Sequence, residues 1–265
     1  MNQKNLNAVN SKPYTFDAVK VKNEIVGWIR EYFRQNGSDC KAIIGISGGK
    51  DSSVVAALCV EALGEDRVIG VLMPDGYQKD IGDAEQLCEH LGIKSYEINI
   101  GNATEAIRVA MIACDLVPSV QTKTNLPPRI RMATLFAVAQ TCNGRVANTC
   151  NFSEDFLGWN TLFGDSAGQF APLAKLTATE VIKIAEVLNL PENLVHKAPA
   201  DGLTDKSDED NFGFTYDFLD IYIRTGYYGI DTAPAAKIDS MHDRNKFKLA
   251  PMPHFDYYPE DPYRF

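Results

Sequence analysis

The fold of this chain depends on the stretch Ile43-Ile44-Gly45-Ile46-Ser47-Gly48-Gly49-Lys50-Asp51-Ser52-Ser53. β-branched residues lead into a Ser-Gly-Gly turn, and an apolar, alanine-rich segment follows from Val54 to Leu63. This pattern predicts a strand, a tight turn and a helix. Gly48 and Gly49 are expected to allow positive φ and a close approach of the backbone to a ligand. The N–H groups of the turn and of the first helical turn then point at one spot, which favours an anion.

The side chains of this turn suit a phosphate group. Lys50 adds a positive charge, Asp51 supplies an acceptor for a metal or a donor, and hydroxyls come from Ser47, Ser52 and Ser53. A Walker A motif is excluded because Asp51 follows Gly49-Lys50, and the dinucleotide fingerprint Gly-x-Gly-x-x-Gly is absent. The remaining pattern, Ser-Gly-Gly-x-Asp-Ser, resembles the pyrophosphate loop of ATP pyrophosphatases, which adenylate a substrate and release pyrophosphate. For Ser-Gly-Gly alone, an ordinary turn between a strand and a helix is the alternative.

Length and composition indicate the fold class. A chain of 265 residues with 45% hydrophobic residues can bury one large core. Because strand and helix patterns alternate, we expect an α/β fold with a doubly wound, mostly parallel sheet flanked by helices. We expect a single domain over residues 1–265, with a loose arm at 1–13 and a docked tail at 246–265.

Charge and cysteine usage exclude several classes of function. The net charge of -9 argues against a nucleic-acid partner. No apolar run is long enough for a membrane span, and the polar N-terminus does not read as a signal peptide. The six cysteines are dispersed without a Cys-x-x-Cys pair, which predicts buried free thiols and a cytoplasmic location.

Three further strands are predicted at residues 68–73, 95–100 and 145–149. In a doubly wound sheet, ligands sit beyond the carboxyl ends of the strands, so the 47–53 turn and residues 74–78 should share one rim. We expect a polar loop at 118–125, followed by a helix that begins at Pro127 and Pro128. The Pro/Gly/Asp-rich stretch 191–211 has the length of a lid or binding loop.

Arg129 and Arg131 lie two residues apart on the helix that follows the two prolines. They therefore do not share a helical face. We expect one of them to reach a substrate while the other pairs structurally, and a surface salt bridge is the alternative for either.

Taken in order, these segments resemble the ammonia-dependent NAD synthetases, from about Phe16 to about Phe255. The resemblance rests on several stretches together: Ser-Gly-Gly-Lys-Asp-Ser (47–52), Met-Pro-Asp-Gly-Tyr-Gln-Lys-Asp (73–80), Pro-Arg-Ile-Arg-Met-Ala-Thr-Leu (128–135), Phe-Gly-Asp (163–165) with Ala-Pro-Leu (171–173), and Asp208-Glu209 with Phe-Thr-Tyr (214–216). The family implies the fold of the adenine nucleotide α-hydrolases. It also implies a two-step reaction in which nicotinic acid adenine dinucleotide (deamido-NAD) is adenylated by ATP and then amidated by ammonia.

The resemblance also implies roles for individual residues. Ser47, Lys50 and Asp51 would be catalytic, and Asp51 and Glu154 would hold Mg²⁺. The set that would bind ATP is Ser47, Gly48, Gly49, Asp51, Ser52, Ser53, Gln78 and Thr149. The set that would bind deamido-NAD, at a homodimer interface, is Asn125, Arg129 and Asp165. Asp208 and Glu209 would belong to a lid over the nucleotide.

The chain departs from the family pattern at three places. A phosphate-binding lysine of many members aligns with Ala178, where Lys175 or Lys183 is a possible substitute. Asn148 stands where a glycine is common, and Pro127 where a lysine is common. These departures concern the details of phosphate and dinucleotide binding.

Two other functions remain open at the level of sequence. One is a pyrophosphate-loop ATPase that adenylates another acceptor, and the other is a non-catalytic nucleotide-binding module. Within the family, the synthetase pattern uses almost the whole chain and leaves no room for a glutaminase domain. Free ammonia is therefore the expected nitrogen donor, and delivery by a separate subunit is the alternative.

Overall fold

The computed structural model describes residues 14–197, 207–226 and 232–255. The predicted arm at 1–13 lies outside the described residues, as do residues 198–206 of the predicted lid stretch and 256–265 of the predicted tail.

A four-stranded parallel sheet forms the centre of the molecule. The strands are β1 (Lys41–Gly45), β2 (Val68–Leu72), β3 (Lys94–Glu97) and β4 (Gly144–Val146), in the order β3-β2-β1-β4. The chain moves from β1 outward to β2 and β3, and then returns to place β4 on the other side of β1. The loops after β1 and β4 therefore diverge from a switch point, where ligands bind in sheets of this kind.

Eleven helices accompany the sheet within the described residues. They are α1 (Ala18–Asn36), α2 (Lys50–Leu63), α3 (Ile81–His90), α4 (Gly101–Ala113), α5 (Val120–Thr141), α6 (Phe152–Leu157), α7 (Ala178–Val187), α8 (Glu192–Val195), α9 (Asp208–Phe212), α10 (Tyr216–Thr225) and α11 (Thr232–Asn245). Short 3₁₀ turns occur at Glu65–Arg67 and Lys246–Leu249. None of the helices in this part of the chain has the length and apolar character to cross a bilayer.

Alternation of side chains on the strands divides the core into two layers. Ala42 and Ile44 point into the larger cluster, which includes apolar residues of α1, α2 and α7. Ile43 points to the opposite face, where it packs in a cluster with Val146 and with Ala139 of α5. Both faces of the central strand are thus covered, as parallel sheets require.

A smaller third cluster lies beside the sheet and supports the loop after β4. Its buried members are Leu157, Ala178, Phe212, Phe214, Tyr216, Leu219 and Ile238. They bring α6, α9, α10 and α11 together around one apolar centre. Burial of a side chain such as Phe212 contributes about 2 kcal/mol, so this cluster fixes the position of α6.

The predicted polar loop at 118–125 is wrong. Helix α5 begins at Val120, because the Ser119 side chain accepts a hydrogen bond from the Thr122 N–H and caps the helix. Pro127 and Pro128 consequently lie inside the helix rather than at its start. Ser119 is the type of residue that begins helices, and the two prolines drew attention to the wrong boundary.

Other predicted elements are present with shifted ends. The third strand ends at Glu97, and the fourth is three residues long with one further bridge between Ala147 and Phe170. The stretch 191–211 is not a continuous loop in its described parts, since it contains α8 and most of α9. All six cysteines are free thiols, and four of them are buried, while Cys142 is half-buried and Cys114 is exposed.

Glu180 on α7 joins three parts of the chain. Its carboxylate is buried and accepts hydrogen bonds from Arg224 (2.8 and 2.5 Å), from the Tyr14 hydroxyl and from the Thr177 N–H (2.8 Å). Burial alone would raise the pKa of Glu180, but the hydrogen bonds from Arg224, Tyr14 and Thr177 outweigh it, so the pKa lies below its ordinary value of 4.5. The ionised form therefore stabilises the folded state.

We expect Arg224→Ala to lower the free energy of unfolding by about 3 kcal/mol at pH 7, because it leaves a buried carboxylate without its cation. The contribution is complete above about pH 4.5, the ordinary value for Glu180, and is lost as the pH falls through the lowered folded-state pKa. Urea unfolding at pH 7 and pH 4 should therefore show a smaller gap between wild type and variant at the lower pH. Arg34→Ala, which breaks an exposed pair with Glu31, is the control and should change stability little. An equal loss in the two variants would contradict the role of Glu180.

Candidate active site

Gly48 allows the turn after β1 to pack against α3. Its φ is +78°, and a Cβ at this position would lie 2.8 Å from Asp83 Cβ and 3.1 Å from Ala84 N. Only glycine fits both the conformation and the space. Gly49 does not have the predicted positive φ. Its φ is -92°, which any residue can adopt, and it is the N-cap of α2.

Serine side chains stabilise the turn from within. The Ser47 hydroxyl accepts a hydrogen bond from the Gly49 N–H (3.2 Å) and lies 3.1 Å from the Ser52 hydroxyl. Ser52 and Ser53 both donate to the Gly49 carbonyl, at 3.2 and 2.8 Å. The result is a preformed turn at the N-terminus of a 14-residue helix, the arrangement that favours phosphate binding.

Asn151 connects the two predicted metal ligands. Its Nδ2 donates to Asp51 Oδ1 (3.0 Å), and its Oδ1 accepts from the Glu154 N–H (3.1 Å). The Glu154 carboxylate in turn accepts from the Asn151 N–H (3.3 Å), which completes the capping box of α6. The loop after β4 therefore brings Glu154 to the turn after β1.

The charge of Asp51 acts on the Glu154 carboxyl. Burial of the Glu154 carboxyl, and next the charge of Asp51, raise the pKa of Glu154 well above its usual value. Two carboxylates in a site that is partly shielded from solvent repel each other, and a cation between them relieves the repulsion. In the described residues no cluster of three or more His, Cys, Asp or Glu side chains is arranged to hold a metal ion. Two carboxylates match the way proteins hold Mg²⁺ when phosphate oxygens complete its shell.

Lys50 and α9 close the other side of this site. The buried Lys50 ammonium lies 2.8 Å from Asp51 Oδ2 and 5.7 Å from the centre of the Tyr216 ring. The Tyr216 hydroxyl and Trp159 Nε1 both donate to the Asp208 carboxylate at 3.2 Å. Asp208, predicted as a lid residue, is thus buried at the site in this structure.

The residues predicted to contact deamido-NAD gather around a separate loop, 161–165. The Thr161 hydroxyl donates to Asn125 Oδ1 (3.1 Å), and the Thr161 N–H donates to Asp165 Oδ1 (2.8 Å). Arg129 is exposed and donates to the Leu162 carbonyl (3.3 Å). The Asp165 charge also acts on Glu154, so this group lies near the Asp51 and Glu154 carboxylates.

Arg131 and Arg129 lie in different environments in the structure. Arg131 is partly buried and donates from Nε to the Met73 carbonyl (2.9 Å) at the end of β2. Burial lowers the pKa of Arg131, and the charges of Asp75 and Asp165 oppose that change. Arg131 therefore pairs structurally, as expected for one of the two, whereas contact of the exposed Arg129 with a substrate stays a prediction.

Two further predicted ATP residues lie on the rim. Gln78, in the loop after β2, is half-buried and donates to Asp80 Oδ1 (3.1 Å). Thr149 is half-buried in the loop after β4, two residues before Asn151. Glu209 of the predicted lid accepts a hydrogen bond from the Tyr216 N–H (2.8 Å) and so fixes the start of α10.

The structure bears on two of the departures from the family pattern. Asn148 is buried and donates to the Asp165 carbonyl (2.9 Å), so it holds the 161–165 loop against the end of β4. Ala178 is buried in the small apolar cluster. Of the two lysines considered in its place, Lys183 is exposed on α7 and the Lys175 ammonium lies 5.2 Å from the centre of the Phe152 ring.

Sequence reasoning missed three residues of this site. The capping role of Asn151 could have been predicted, because Asn-x-x-Glu before a helix is the signature of a capping box. Trp159 carries no such signal, since its hydrogen bond to Asp208 joins positions 49 residues apart in the chain. Tyr216 is 8 residues from Asp208, and their hydrogen bond depends on how α9 and α10 pack together.

Comparisons with known proteins agree with this geometry. The model of the NAD synthase family matches residues 21–252. The NH(3)-dependent NAD(+) synthetase of Pyrococcus furiosus is 36% identical over 202 residues, which is 76% of this chain and 76% of that protein.

Solved structures agree as well. The NMN synthetase of Francisella tularensis superimposes with a TM-score of 0.82 at 32% identity, over 91% of this chain and all of that one. The NH3-dependent NAD synthetase of Campylobacter jejuni has a TM-score of 0.74 at 28% identity, over 92% of this chain and 100% of that one. The predicted fold, that of the adenine nucleotide α-hydrolases, is confirmed.

Proposed function

Because the chain belongs to the NAD synthase family, we propose that it is an ATP-dependent ligase that amidates deamido-NAD with ammonia, giving NAD, AMP and pyrophosphate. The observation that carries this proposal is the Asp51–Asn151–Glu154 connection, which sets two carboxylates beside a preformed phosphate turn. A carboxylate pair at such a turn suits phosphoryl chemistry with a divalent cation.

The reaction has two steps, and both need a group that stabilises charge. In the first, a carboxylate oxygen of deamido-NAD bonds to the α-phosphorus of ATP, and the bond to the bridging oxygen breaks to release pyrophosphate. In the second, the ammonia nitrogen bonds to the acyl carbon, the acyl–oxygen bond breaks, AMP leaves with the electron pair, and nitrogen loses a proton. Activation is necessary because a free carboxylate oxygen is a very poor leaving group.

The turn after β1 would stabilise the departing pyrophosphate. The backbone N–H of Gly48 and the N-terminus of α2 offer donors and a positive potential, and the hydroxyls of Ser47 and Ser52 lie beside them. Lys50 adds a positive charge at the same place. Gln78 and Thr149 would contact the rest of ATP from the loops after β2 and β4.

Asp51 and Glu154, called the metal pair below, would hold Mg²⁺. The site fits this ion, because it presents carboxylate oxygens and leaves the phosphates of ATP to supply further ligands. When bound, Mg²⁺ neutralises the charge that develops on the phosphate oxygens. Asn151 orients both carboxylates, and the charge of Lys50 limits their repulsion.

Asn125, Arg129 and Asp165 would bind deamido-NAD. Arg129 is exposed and offers its guanidinium to a phosphate or carboxylate, groups it can bind with two parallel hydrogen bonds. Asp208 and Glu209, with α9, would cover the nucleotide. Ammonia is the proposed nitrogen donor, and the proposed location is the cytoplasm, with no nucleic-acid or membrane partner.

The face formed by α4 and the start of α5 supports a homodimer. Thr104 is the one buried residue of α4 among its 13, and this helix is rich in apolar side chains. Five exposed apolar residues define the α4–α5 face: Val109, Ile112, Leu116, Val117 and Val120. An apolar patch of this kind marks an interface. A second copy of the chain is the proposed occupant, since α5 also carries Asn125 and Arg129.

We expect wild-type protein to sediment as a dimer, at twice the 29.3 kDa of one chain. The double variant Val117→Asp/Val120→Asp should sediment as a monomer, because two charges on the α4–α5 face oppose its burial. Sedimentation velocity measures both. Val19→Asp, at an exposed apolar position of α1, is the matched control and should stay dimeric. A monomeric wild type would contradict the homodimer.

The decisive assay of function contains ATP, Mg²⁺, deamido-NAD and ammonium, and follows NAD with a coupled dehydrogenase. We expect NAD and AMP in equal amounts with ammonium, and no NAD with glutamine. Release of pyrophosphate without NAD would indicate another nitrogen source. No reaction at all would favour a different acceptor or the non-catalytic nucleotide-binding module.

A second candidate substrate is the mononucleotide of nicotinic acid. The observation in its favour is the similarity to the Francisella tularensis NMN synthetase, whose TM-score exceeds that of the Campylobacter jejuni NAD synthetase. Supplying nicotinic acid mononucleotide and deamido-NAD in parallel, and comparing kcat/KM, distinguishes the two. A higher kcat/KM for the mononucleotide would replace the proposed acceptor.

Asp51→Asn and Glu154→Gln should each lower kcat at least about 100-fold, because each removes a charge from the metal pair. Far-UV circular dichroism should show an unchanged fold, since the replacements have the same shape. Glu192→Gln, at an exposed surface position, should keep wild-type rate. A wild-type rate for Asp51→Asn or Glu154→Gln would contradict the metal assignment.

A further inference from the structure

Lys50 is the first residue of α2, yet its side chain is only 6% exposed. A buried ammonium is costly unless charged partners surround it. The direct partner is Asp51, at 2.8 Å, and the face of Tyr216 lies at 5.7 Å. The lysine thus sits in the site rather than at the surface.

The surroundings of Lys50 are those of a cation site. Its negatively charged neighbours are Asp51, Glu154 and Asp208, and the Asp51 carboxylate is in direct contact with the ammonium. Asp51 and Glu154 are also the proposed metal ligands. One resident cation and one added cation therefore depend on the same carboxylates.

Both oxygens of Asp51 accept hydrogen bonds in this structure. Oδ1 accepts from Asn151 (3.0 Å) and Oδ2 accepts from Lys50 (2.8 Å). The Asn151 bond is anchored by the capping box, whereas Lys50 has a flexible four-carbon stem. A divalent cation that binds Asp51 would displace the ammonium more easily than the amide.

We propose that the Lys50 ammonium is an internal competitor of the divalent cation for Asp51 and Glu154, and so sets the metal affinity of the site. This inference rests on the proposed metal pair. Displaced from Asp51, the ammonium is still tethered directly after the phosphate turn. It is then free to pair with a phosphate oxygen, so metal and nucleotide binding would support each other.

The test is a titration with Mn²⁺ in the absence of nucleotide, with free Mn²⁺ measured by electron paramagnetic resonance. Lys50→Gln should bind Mn²⁺ about tenfold more tightly than wild type, because a unit charge close to the metal is removed. Lys94→Gln is the matched control, since its ammonium also lies over an aromatic ring, that of Tyr96, but faces solvent away from the site. Its affinity should stay within about twofold of wild type. Unchanged or weaker binding in Lys50→Gln would overturn the inference.

Glu154→Gln separates this inference from the proposed function. Weaker Mn²⁺ binding in Glu154→Gln without tighter binding in Lys50→Gln would refute competition by Lys50 and keep the metal pair. Wild-type binding in Glu154→Gln would refute the metal pair and the competition together.

If the Lys50→Gln variant does not fold, the same inference is tested on the wild-type protein. Acetylation of lysines, read by mass spectrometry, should increase at Lys50 when Mn²⁺ is added, because the displaced side chain becomes accessible. Lys94, already exposed, should react equally with and without Mn²⁺. No increase at Lys50 at saturating Mn²⁺ would overturn the inference.

Discussion

The amide of Asn151 joins two turns that lie 100 residues apart in the chain. Through its side chain, the turn after β1 and the helix after β4 take fixed positions relative to each other. Each of the two carboxylates belongs to a different strand–turn unit, and neither unit alone determines where its carboxylate points. The pairing of Asp51 with Glu154 therefore depends on one hydrogen-bonded amide, and the small apolar cluster behind α6 keeps that amide in place.

The order of strands and helices could be predicted because it depends on local patterns. The β-branched residues before the Ser-Gly-Gly turn indicated β1, and the apolar, alanine-rich segment after it indicated α2. The start of α5 could not be predicted from its prolines, because the Ser119 cap, which outweighs them, is a single hydroxyl in a polar stretch. The turn itself was predicted with both glycines in special conformations, and the structure needs only Gly48 in one.

The candidate site was predictable where its residues adjoin a strand end. The position of ligands beyond the carboxyl ends of parallel strands is enough to assign Asp51 and Glu154 to one rim. This rule does not predict the positions of Tyr216 and Asp208, which lie on helices placed by packing between distant segments. The depth of Lys50 was also hidden, because a lysine beside a glycine turn is normally exposed. Long-range packing, rather than the residues of a motif, decides which charged side chains are buried.

The two prolines inside α5 have a mechanical consequence. Neither has an N–H, so the carbonyls of Lys123 and Thr124 lose the donors that a regular helix provides four residues later. The two prolines lie between Asn125 and Arg129 in the sequence. The segment before the prolines is therefore joined to the sheet-packed remainder by a weakened turn. Bending at this turn would change the distance between Asn125 and Arg129 without disturbing the core, so the turn would act as a hinge within α5.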